Sequence, residues 1–177
     1  LTYLKRLPVS VLKIDQSFVR DMLDDPDDLA ILEGVIGLAA AFRRDIVAEG
    51  VETIEQGQML LELGCELAQG YGIGRPMPAA DLPHWAARWR PDPTWLERAP
   101  ANRDDLPLLF AAVEHRAWII ALEKYLANET TAPPPGADQC RFGVWLAARS
   151  MSAESLAIVG SHRRVHALAA ELCTLKE

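Results

Sequence analysis

The sequence has few of the features that mark several common classes of protein. It contains only three cysteines in 177 residues, at spacings unlike a disulfide framework, which is typical of a reducing cytoplasm. Lysine and arginine together number 18 against 25 aspartates and glutamates, which argues against a surface for polymeric nucleic acid. No run of eighteen apolar residues and no signal peptide is present, so no membrane segment is predicted.

The first ninety residues alternate short apolar runs with longer amphipathic stretches. Asp27 or Asp28 is placed to begin one helix, and Gly64 is placed to end the next. Alternation of this kind predicts parallel strands joined by helical crossovers. Strands are expected at 10–15 and 45–51, a third strand with a loop at 65–74, and helices at 27–44, 53–64 and 76–89. The chain does not begin with methionine, and residues 1–8 suggest a helix end followed by a turn, so we expect it to begin inside a domain.

A change of composition divides the chain. Three prolines within residues 91–106 and a fourth at Pro107, with charged residues between them, predict a linker at 91–106. Its Trp95 and Leu96 are able to dock on either neighbour. Residues 107–177 contain no convincing strand and predict a small helical bundle. We therefore expect three parts, a strand-and-helix domain at 1–90, the linker, and the helical domain at 107–177.

The helical part contains a set of candidate metal ligands. His162 and His166 are one helical turn apart, and His115 and Cys140 stand upstream. Three imidazoles and one thiolate are the number and kind of groups that close a tetrahedral zinc site. The start of a helix, where Cys140 stands, also favours a thiolate. Cys173 is about two turns beyond His166, roughly 10 Å along the helix, so we do not expect it to bind the same ion.

The predicted helix that carries His115 is apolar over much of its surface. Its spacing places His115 on one face, which we expect to point into the bundle, together with Leu108, Ala112, Ile119, Leu122 and Leu126. The alternative is that the histidines are core residues near an ordinary buried cysteine. Three of the four histidines of the chain fall in this set, which favours zinc, and the fourth, His84, is expected on a helix surface.

Residues 107–175 resemble a known family. The motifs H-x-x-W, C-R-F-G-x-W-L and H-x-x-x-H are similar to those of the chemoreceptor zinc-binding (CZB) domain. The resemblance implies a cytosolic bacterial signalling module in which His115, Cys140, His162 and His166 bind Zn²⁺. It also implies that the metal, or oxidation of the cysteine, acts as an input to an attached output domain.

Polar residues follow the three predicted strands of the first part. Lys13, Glu49 with Glu52, and Gln69 stand at successive strand ends, which lie at one edge of a parallel sheet. A carboxylate there is able to hold a divalent ion, and a lysine is able to orient water or stabilise phosphoryl charge, so the set suits phosphate chemistry. The alternative is that these side chains only meet solvent at the sheet edge.

Residues 1–88 also resemble a family. The segments LKRLPVSVLKIDQSFVRDM, IVAEGVET and LAQGYGIGRPMPA are similar to the C-terminal part of the EAL domain, a bacterial cyclic-di-GMP phosphodiesterase with a TIM-like barrel. The resemblance implies an α/β partial barrel of about three βα units and hydrolysis of cyclic di-GMP to pGpG with Mg²⁺ or Mn²⁺. The same resemblance implies that Lys13 and Glu49 are catalytic and that Glu49 also binds the metal. It implies that Glu52, Gln69 and Pro76 belong to the substrate site.

Several segments of that family have no counterpart in this sequence. The E-A-L motif, further acidic and asparagine ligands and a D-D-F-G segment are absent, so we expect this chain alone to hydrolyse nothing. The expected function is therefore the C-terminal piece of a zinc- or redox-regulated phosphodiesterase, as a homodimer. The alternative is a non-catalytic signalling module with a degenerate EAL domain.

Overall fold

The computed structural model describes residues 9–137, 139–147 and 153–176. The chain divides into two compact units at the junction of Asp105 and Leu106. The helix end and turn expected at residues 1–8 lie outside the described residues.

The first unit is built around a parallel sheet. In the described part of the chain the sheet has three strands in sequence order, with Lys13 paired to Val47 and Glu49 paired to Gln69. The strands are β1 (Val11–Ile14), β2 (Asp45–Glu49) and β3 (Leu67–Gln69). Helices α1 (Gln16–Asp21) and α2 (Pro26–Ala41) connect β1 to β2, and α3 (Ile54–Leu63) connects β2 to β3. The carboxyl ends of all three strands therefore lie at one edge.

Helix α2 begins earlier than its sequence suggests. Its N-cap is Asp25, whose carboxylate accepts a hydrogen bond of 2.8 Å from the backbone amide of Asp27. The predicted cap at Asp27 or Asp28 is wrong because Pro26 lacks an N–H and has a φ that suits the first helical position. The apolar side chains that α2 buries follow a three-four spacing: Leu29, Leu32, Ile36 and Ala39.

Helix α3 has the boundaries that local sequence dictates. Thr53 and Gln56 form a reciprocal capping box, in which each side chain bonds the backbone amide of the other. The predicted end at Gly64 is confirmed, since this residue adopts the left-handed conformation with φ of 89°. Glycine adopts that conformation without the steric cost that a Cβ brings.

The proline-rich segment after β3 packs within the first unit. This segment contains a short 3-10 turn followed by two helices, α4 (Leu82–Arg88) and α5 (Pro93–Leu96). The Trp95 indole lies directly over Gly57 and donates a hydrogen bond of 2.9 Å to the Ile54 carbonyl. Trp95 is thus docked on α3, whereas the predicted boundaries of the linker and the two domains remain predictions.

The second unit is helical in its described residues. Helices α6 (Leu106–Leu126), α7 (Arg141–Ala147) and α8 (Ala153–Lys176) pack against one another in pairs. The inward direction that we expected of His115 is confirmed, since it lies in the ligand cluster, but the prediction is wrong for Leu108, Ala112 and Ile119, which are exposed. The side chains that α6 buries are Ala111, Val113, Trp118 and Tyr125, and His115 is half-buried beside them. Because α6 is apolar on several sides, its spacing does not select a face, and packing against α7 and α8 decides it.

The predicted fold class is confirmed. Three parallel strands with their helices precede a helical region, as the alternation and its loss after residue 90 predicted. Among the described residues no helix is long and apolar enough to cross a membrane.

Candidate metal centre and strand-end site

The four predicted zinc ligands lie together in the second unit. One ligand atom from each of His115, Cys140, His162 and His166 falls within 4.8 Å of the other three. A tetrahedral zinc ion with bonds of about 2.0–2.3 Å separates its ligand atoms by roughly 3.3–3.8 Å. The four groups therefore need to approach one another by at most about 1.5 Å to close around one ion.

Three parts of the second unit hold the four ligands. His162 and His166 are consecutive on one face of α8, and their side chains are 7% and 5% exposed. Cys140 is buried immediately before α7, where its backbone amide donates to the Gly136 carbonyl. His115 pairs its Nδ1 with the Ala111 carbonyl at 3.2 Å, which leaves Nε2 for a metal.

Unpaired nitrogens support a metal at this cluster. Among the described residues, Nε2 of His162 and both ring nitrogens of His166 are buried without a hydrogen-bond partner. Leaving a buried polar atom unpaired costs about 1–3 kcal/mol, so an ion at this place would relieve an otherwise unexplained cost. The donor set of three imidazoles and a thiol fits zinc.

The environment keeps the two α8 imidazoles neutral. Burial lowers the pKa of His162, and the neighbouring His166, His115 and Arg163 lower it further. Burial also lowers the pKa of His166, with His115 adding to the effect and the nearby Pro135 carbonyl opposing it. Because only a neutral imidazole has a lone pair to give, both rings are ready to bind a metal at neutral pH.

Two aromatic residues that motif spacing did not assign a role enclose the cluster. The Phe142 ring stands edge-on to His115 and His162, with centroids 5.1 and 5.4 Å away. The Trp118 ring lies against His166, with centroids 4.2 Å apart. The sequence signal that could have found them is their position in the motifs H-x-x-W and C-R-F-G, two or three residues from a ligand.

Gly143 is required by the approach of α7 to its neighbours. A Cβ at this position would lie 2.2 Å from the Ala137 carbonyl oxygen and 2.9 Å from Cε1 of His162. The first contact involves backbone and cannot be relieved by rotating a side chain. The glycine of C-R-F-G therefore allows α7 to lie against the ligand-bearing helix.

We expect Gly143→Ala to weaken zinc binding by at least about tenfold, because α7 must move away and carry Cys140 with it. The measurement is zinc affinity by competition with a chelator. Gly160→Ala is the matched control, since no atom lies within 4 Å of its added Cβ, and it should stabilise α8 by up to about 1 kcal/mol. Equal affinity for the two variants would contradict the assigned role.

The strand ends of the first unit bring together three of the predicted site residues. Glu49, the last residue of β2, forms an ion pair with Lys13 from β1. The same carboxylate accepts a hydrogen bond of 3.2 Å from the Gln69 amide at the end of β3. The structure thus joins an ammonium, a carboxylate and an amide at one edge, while their catalytic and binding roles remain predictions.

Backbone contacts hold the loops after β2 and β3 together. The Val51 amide donates to the Gln69 carbonyl at 3.1 Å, and the Gly72 amide donates to the Val51 carbonyl at 2.9 Å. A Cβ at Gly70 would lie 2.2 Å from the Val51 carbonyl oxygen, and one at Gly72 would lie 2.8 Å from that of Glu52. The glycines of Q-G-Y-G are there because the neighbouring backbone comes this close.

The two loops border an open cleft of about 650 Å³. Glu52 and Pro76, the other predicted substrate-site residues, line it with Glu49 and Gln69. Sequence reasoning missed other residues of its lining, which include Gln16, Tyr71, Arg75 and Trp85. The Arg75 guanidinium lies 4.7 Å from the Tyr71 ring centroid, a cation–π contact beside the predicted substrate residues.

A buried glutamine fixes the loop that carries Glu52. The Gln56 side-chain oxygen accepts hydrogen bonds from the amides of Glu52 and Thr53, at 2.8 and 3.1 Å. Its side-chain nitrogen donates to the Arg20 carbonyl of α1 at 3.3 Å. The bond to α1 was not evident in the sequence, because the two residues are 36 positions apart.

Asp15, His84 and Cys173 lie outside the two groups of candidate site residues. Asp15 caps α1 by accepting bonds from the amide and hydroxyl of Ser17, which lower the pKa of its carboxyl group. His84 is exposed on α4 and pairs with Arg88, as expected of a surface histidine. Cys173 is not a member of the ligand group found within the described ranges.

Comparison with known families gives two matches. Residues 1–76 match the EAL domain, and residues 115–173 match the chemoreceptor zinc-binding domain. The three parallel strands thus lie within EAL-domain sequence, and the His/Cys cluster lies within the zinc-binding match.

Curated relatives are considerably longer than this chain. The bifunctional diguanylate cyclase/cyclic di-GMP phosphodiesterase MucR of Pseudomonas aeruginosa is 50% identical over 82 residues, which are 46% of this chain and 12% of the relative. The cyclic di-GMP phosphodiesterase NbdA of the same organism is 42% identical over 92 residues, 52% of this chain and 12% of the relative. The chain therefore spans about an eighth of the length of either protein.

A solved structure of the MucR phosphodiesterase in complex with c-di-GMP is 49% identical to the part of this chain that it covers. The match takes in 46% of this chain and 33% of that structure, with a TM-score of 0.45.

Proposed function

We propose that this chain, in which EAL-domain sequence at residues 1–76 precedes a chemoreceptor zinc-binding domain at residues 115–173, is part of a zinc-regulated cyclic-di-GMP phosphodiesterase. Its reaction would be the hydrolysis of cyclic di-GMP to pGpG. The observation that carries the catalytic half is the convergence of Lys13, Glu49 and Gln69 at one sheet edge. The proposal concerns a longer protein that supplies the rest of the barrel.

Stability does not explain that convergence. The side chains of Lys13 and Glu49 are 57% and 27% exposed, and a pair so accessible to solvent contributes about 0–1 kcal/mol. Two charged groups and an amide therefore lie together at this edge although their contacts add little to the free energy of unfolding. Grouping at the carboxyl ends of parallel strands is what a reaction centre requires.

The chemistry assigns a task to each group. In hydrolysis a water oxygen bonds to phosphorus, one phosphorus–ester oxygen bond breaks, and the released ribose oxygen takes up a proton to become a hydroxyl. Glu49 would accept the water proton, Lys13 would stabilise negative charge on the phosphate, and Gln69 would hold the Glu49 carboxylate in place. A Mg²⁺ or Mn²⁺ ion, with Glu49 among its ligands, would supply further stabilisation of phosphate charge. Glu52 and Pro76 would contact the nucleotide from the cleft.

The helical unit would act as the regulatory input. Zn²⁺ bound by His115, Cys140, His162 and His166 would join α6, α8 and the residue before α7 at one point. Loss of the ion, or oxidation of the Cys140 thiolate, would release that junction. Binding and release of the ion thus give the unit two states that an output domain could sense.

The decisive assay measures conversion of cyclic di-GMP to pGpG by the longer protein, with zinc supplied and then removed by a zinc-selective chelator in excess Mg²⁺. We expect turnover, and a rate that changes on chelation and returns when zinc is restored. Absence of turnover in the metal-loaded protein would favour the non-catalytic alternative, and a rate insensitive to zinc would refute the regulatory half.

We further propose a homodimer formed through α8. Large apolar side chains are exposed on this helix at the a and d positions of a heptad: Ile158, Val165, Leu168, Leu172 and Leu175. Such a stripe is self-complementary between two copies. We expect Leu168→Glu with Leu172→Glu to reduce the mass in sedimentation from dimer to monomer, whereas Ala170→Glu, on an exposed position off the stripe, should not.

The proposal places the protein in the bacterial cytoplasm. Cys65, Cys140 and Cys173 are all free thiols. A reducing compartment keeps Cys140 available as a metal ligand, and cyclic di-GMP is the expected substrate there.

A further inference from the structure

Trp118 contacts two parts of the metal cluster at once. It is 7% exposed, and its ring lies against His166 with centroids 4.2 Å apart. Its indole N–H donates a hydrogen bond of 2.8 Å to the carbonyl of Pro135, 17 residues along the chain. One side chain of α6 therefore contacts a ligand on α8 and also the loop between α6 and α7.

That loop leads directly to Cys140. The residue after Pro135 is Gly136, whose carbonyl accepts hydrogen bonds from the amides of Gln139 and Cys140, at 3.0 and 3.1 Å. The Pro135 carbonyl and the Cys140 amide are thus separated by one turn. Since prolines 133–135 restrict the backbone that precedes the turn, a bond at Pro135 fixes where the turn lies.

We propose that Trp118 is a positioning residue for Cys140, acting through the indole N–H bond to Pro135. The inference rests on the proposed zinc site. Of the four ligands, Cys140 alone stands outside a long helix, so its distance from the imidazoles depends on how the loop is anchored. Burial of Trp118 strengthens the bond, since no water competes for the indole proton.

A simpler role for Trp118 is packing against His166. The two roles are separable because the N–H reaches the loop, whereas the ring face reaches the imidazole. Trp118→Phe keeps an aromatic face and removes the N–H. Replacement of Trp118 by benzothienylalanine, in which sulfur replaces the N–H, also removes the donor but keeps the bicyclic shape. It therefore tests the same bond if Trp118→Phe does not fold.

The experiment measures zinc affinity of the 177-residue chain by chelator competition, in a double-mutant cycle with Cys140→Ala, which offers no ligand atom. We expect each Trp118 replacement to weaken zinc binding about tenfold in the parent chain and less than about twofold in the Cys140→Ala background. With Co²⁺ in place of zinc, the thiolate-to-metal charge-transfer band should weaken. Tyr125→Phe, another buried aromatic of α6, is the matched control and should change neither.

Other results overturn the proposal. An equal loss of affinity in both backgrounds means that Trp118 acts by packing against His166, and no loss in the parent chain means that the Pro135 bond is not needed. If the unsubstituted chain binds no zinc, the proposed metal site itself fails. That outcome is distinct from a failure confined to Trp118.

Discussion

Glu49→Ala, introduced into the longer protein that carries the whole barrel, is expected to reduce turnover of cyclic di-GMP by about 10²–10⁴-fold, the range associated with loss of a general base. The physical reason is that Glu49 is the centre of the strand-end group. Its carboxylate contacts Lys13 on one side and Gln69 on the other, so its removal leaves no acceptor between them. The measurement is the rate of pGpG formation with Mg²⁺ in excess.

Two further variants make this test specific. Glu49→Gln keeps the size and a hydrogen-bonding oxygen but loses the charge, so it should be nearly as inactive as Glu49→Ala. Glu33→Ala removes an exposed carboxylate from the middle of α2 and should leave the rate unchanged. Wild-type turnover by Glu49→Ala would remove the catalytic interpretation of the strand-end group.

Cys140→Ser is expected to weaken zinc binding by more than about 100-fold, which exceeds the usual loss on removing a supporting contact. A hydroxyl is a far poorer zinc ligand than a thiolate, and the other three ligands cannot replace it. The unsubstituted chain should bind about one zinc ion, as measured by elemental analysis, and the variant should release it to a weaker chelator.

A second cysteine, Cys173, supplies the control for Cys140→Ser. Cys173 is on the same helix as His162 and His166, and it is only partly buried. Cys173→Ser should therefore retain both the stoichiometry and the affinity of the parent chain. Unchanged zinc content in Cys140→Ser under competition would show that the ligand assignment is wrong.

Local features of the sequence were enough to predict most of the first unit. Gly64 has no Cβ to oppose a left-handed conformation, so the end of α3 was predictable from one residue. The start of α2 was not predicted correctly, because Asp25, Asp27 and Asp28 all suit a cap and only the Asp25–Pro26 pair separates them. The preference of proline for the first helical position was thus available in the sequence and was overlooked.

The metal cluster shows both the strength and the limit of sequence reasoning. The i, i+4 spacing of His162 and His166 is a property of any α-helix, so their common direction was predictable. The inward position of His115 was predicted correctly, but the apolar residues that α6 buries were not, because apolar residues occur on several of its sides. Which side is buried depends on α7 and α8, which are distant in sequence from most of α6.

Residue types and their order determined the fold class, the identity of the candidate ligands and the set of polar strand ends. These properties are local, or repeat along the chain, because caps, periodicity and ligand chemistry act over a few residues. The tertiary structure decided which side chains make direct contact within these sets and with residues outside them. It placed Lys13 and Gln69 on Glu49, Trp118 between His166 and Pro135, and the backbone of Glu52 against Gly72. Contacts of this kind follow from packing between distant segments, and no local pattern in the sequence specifies their distances.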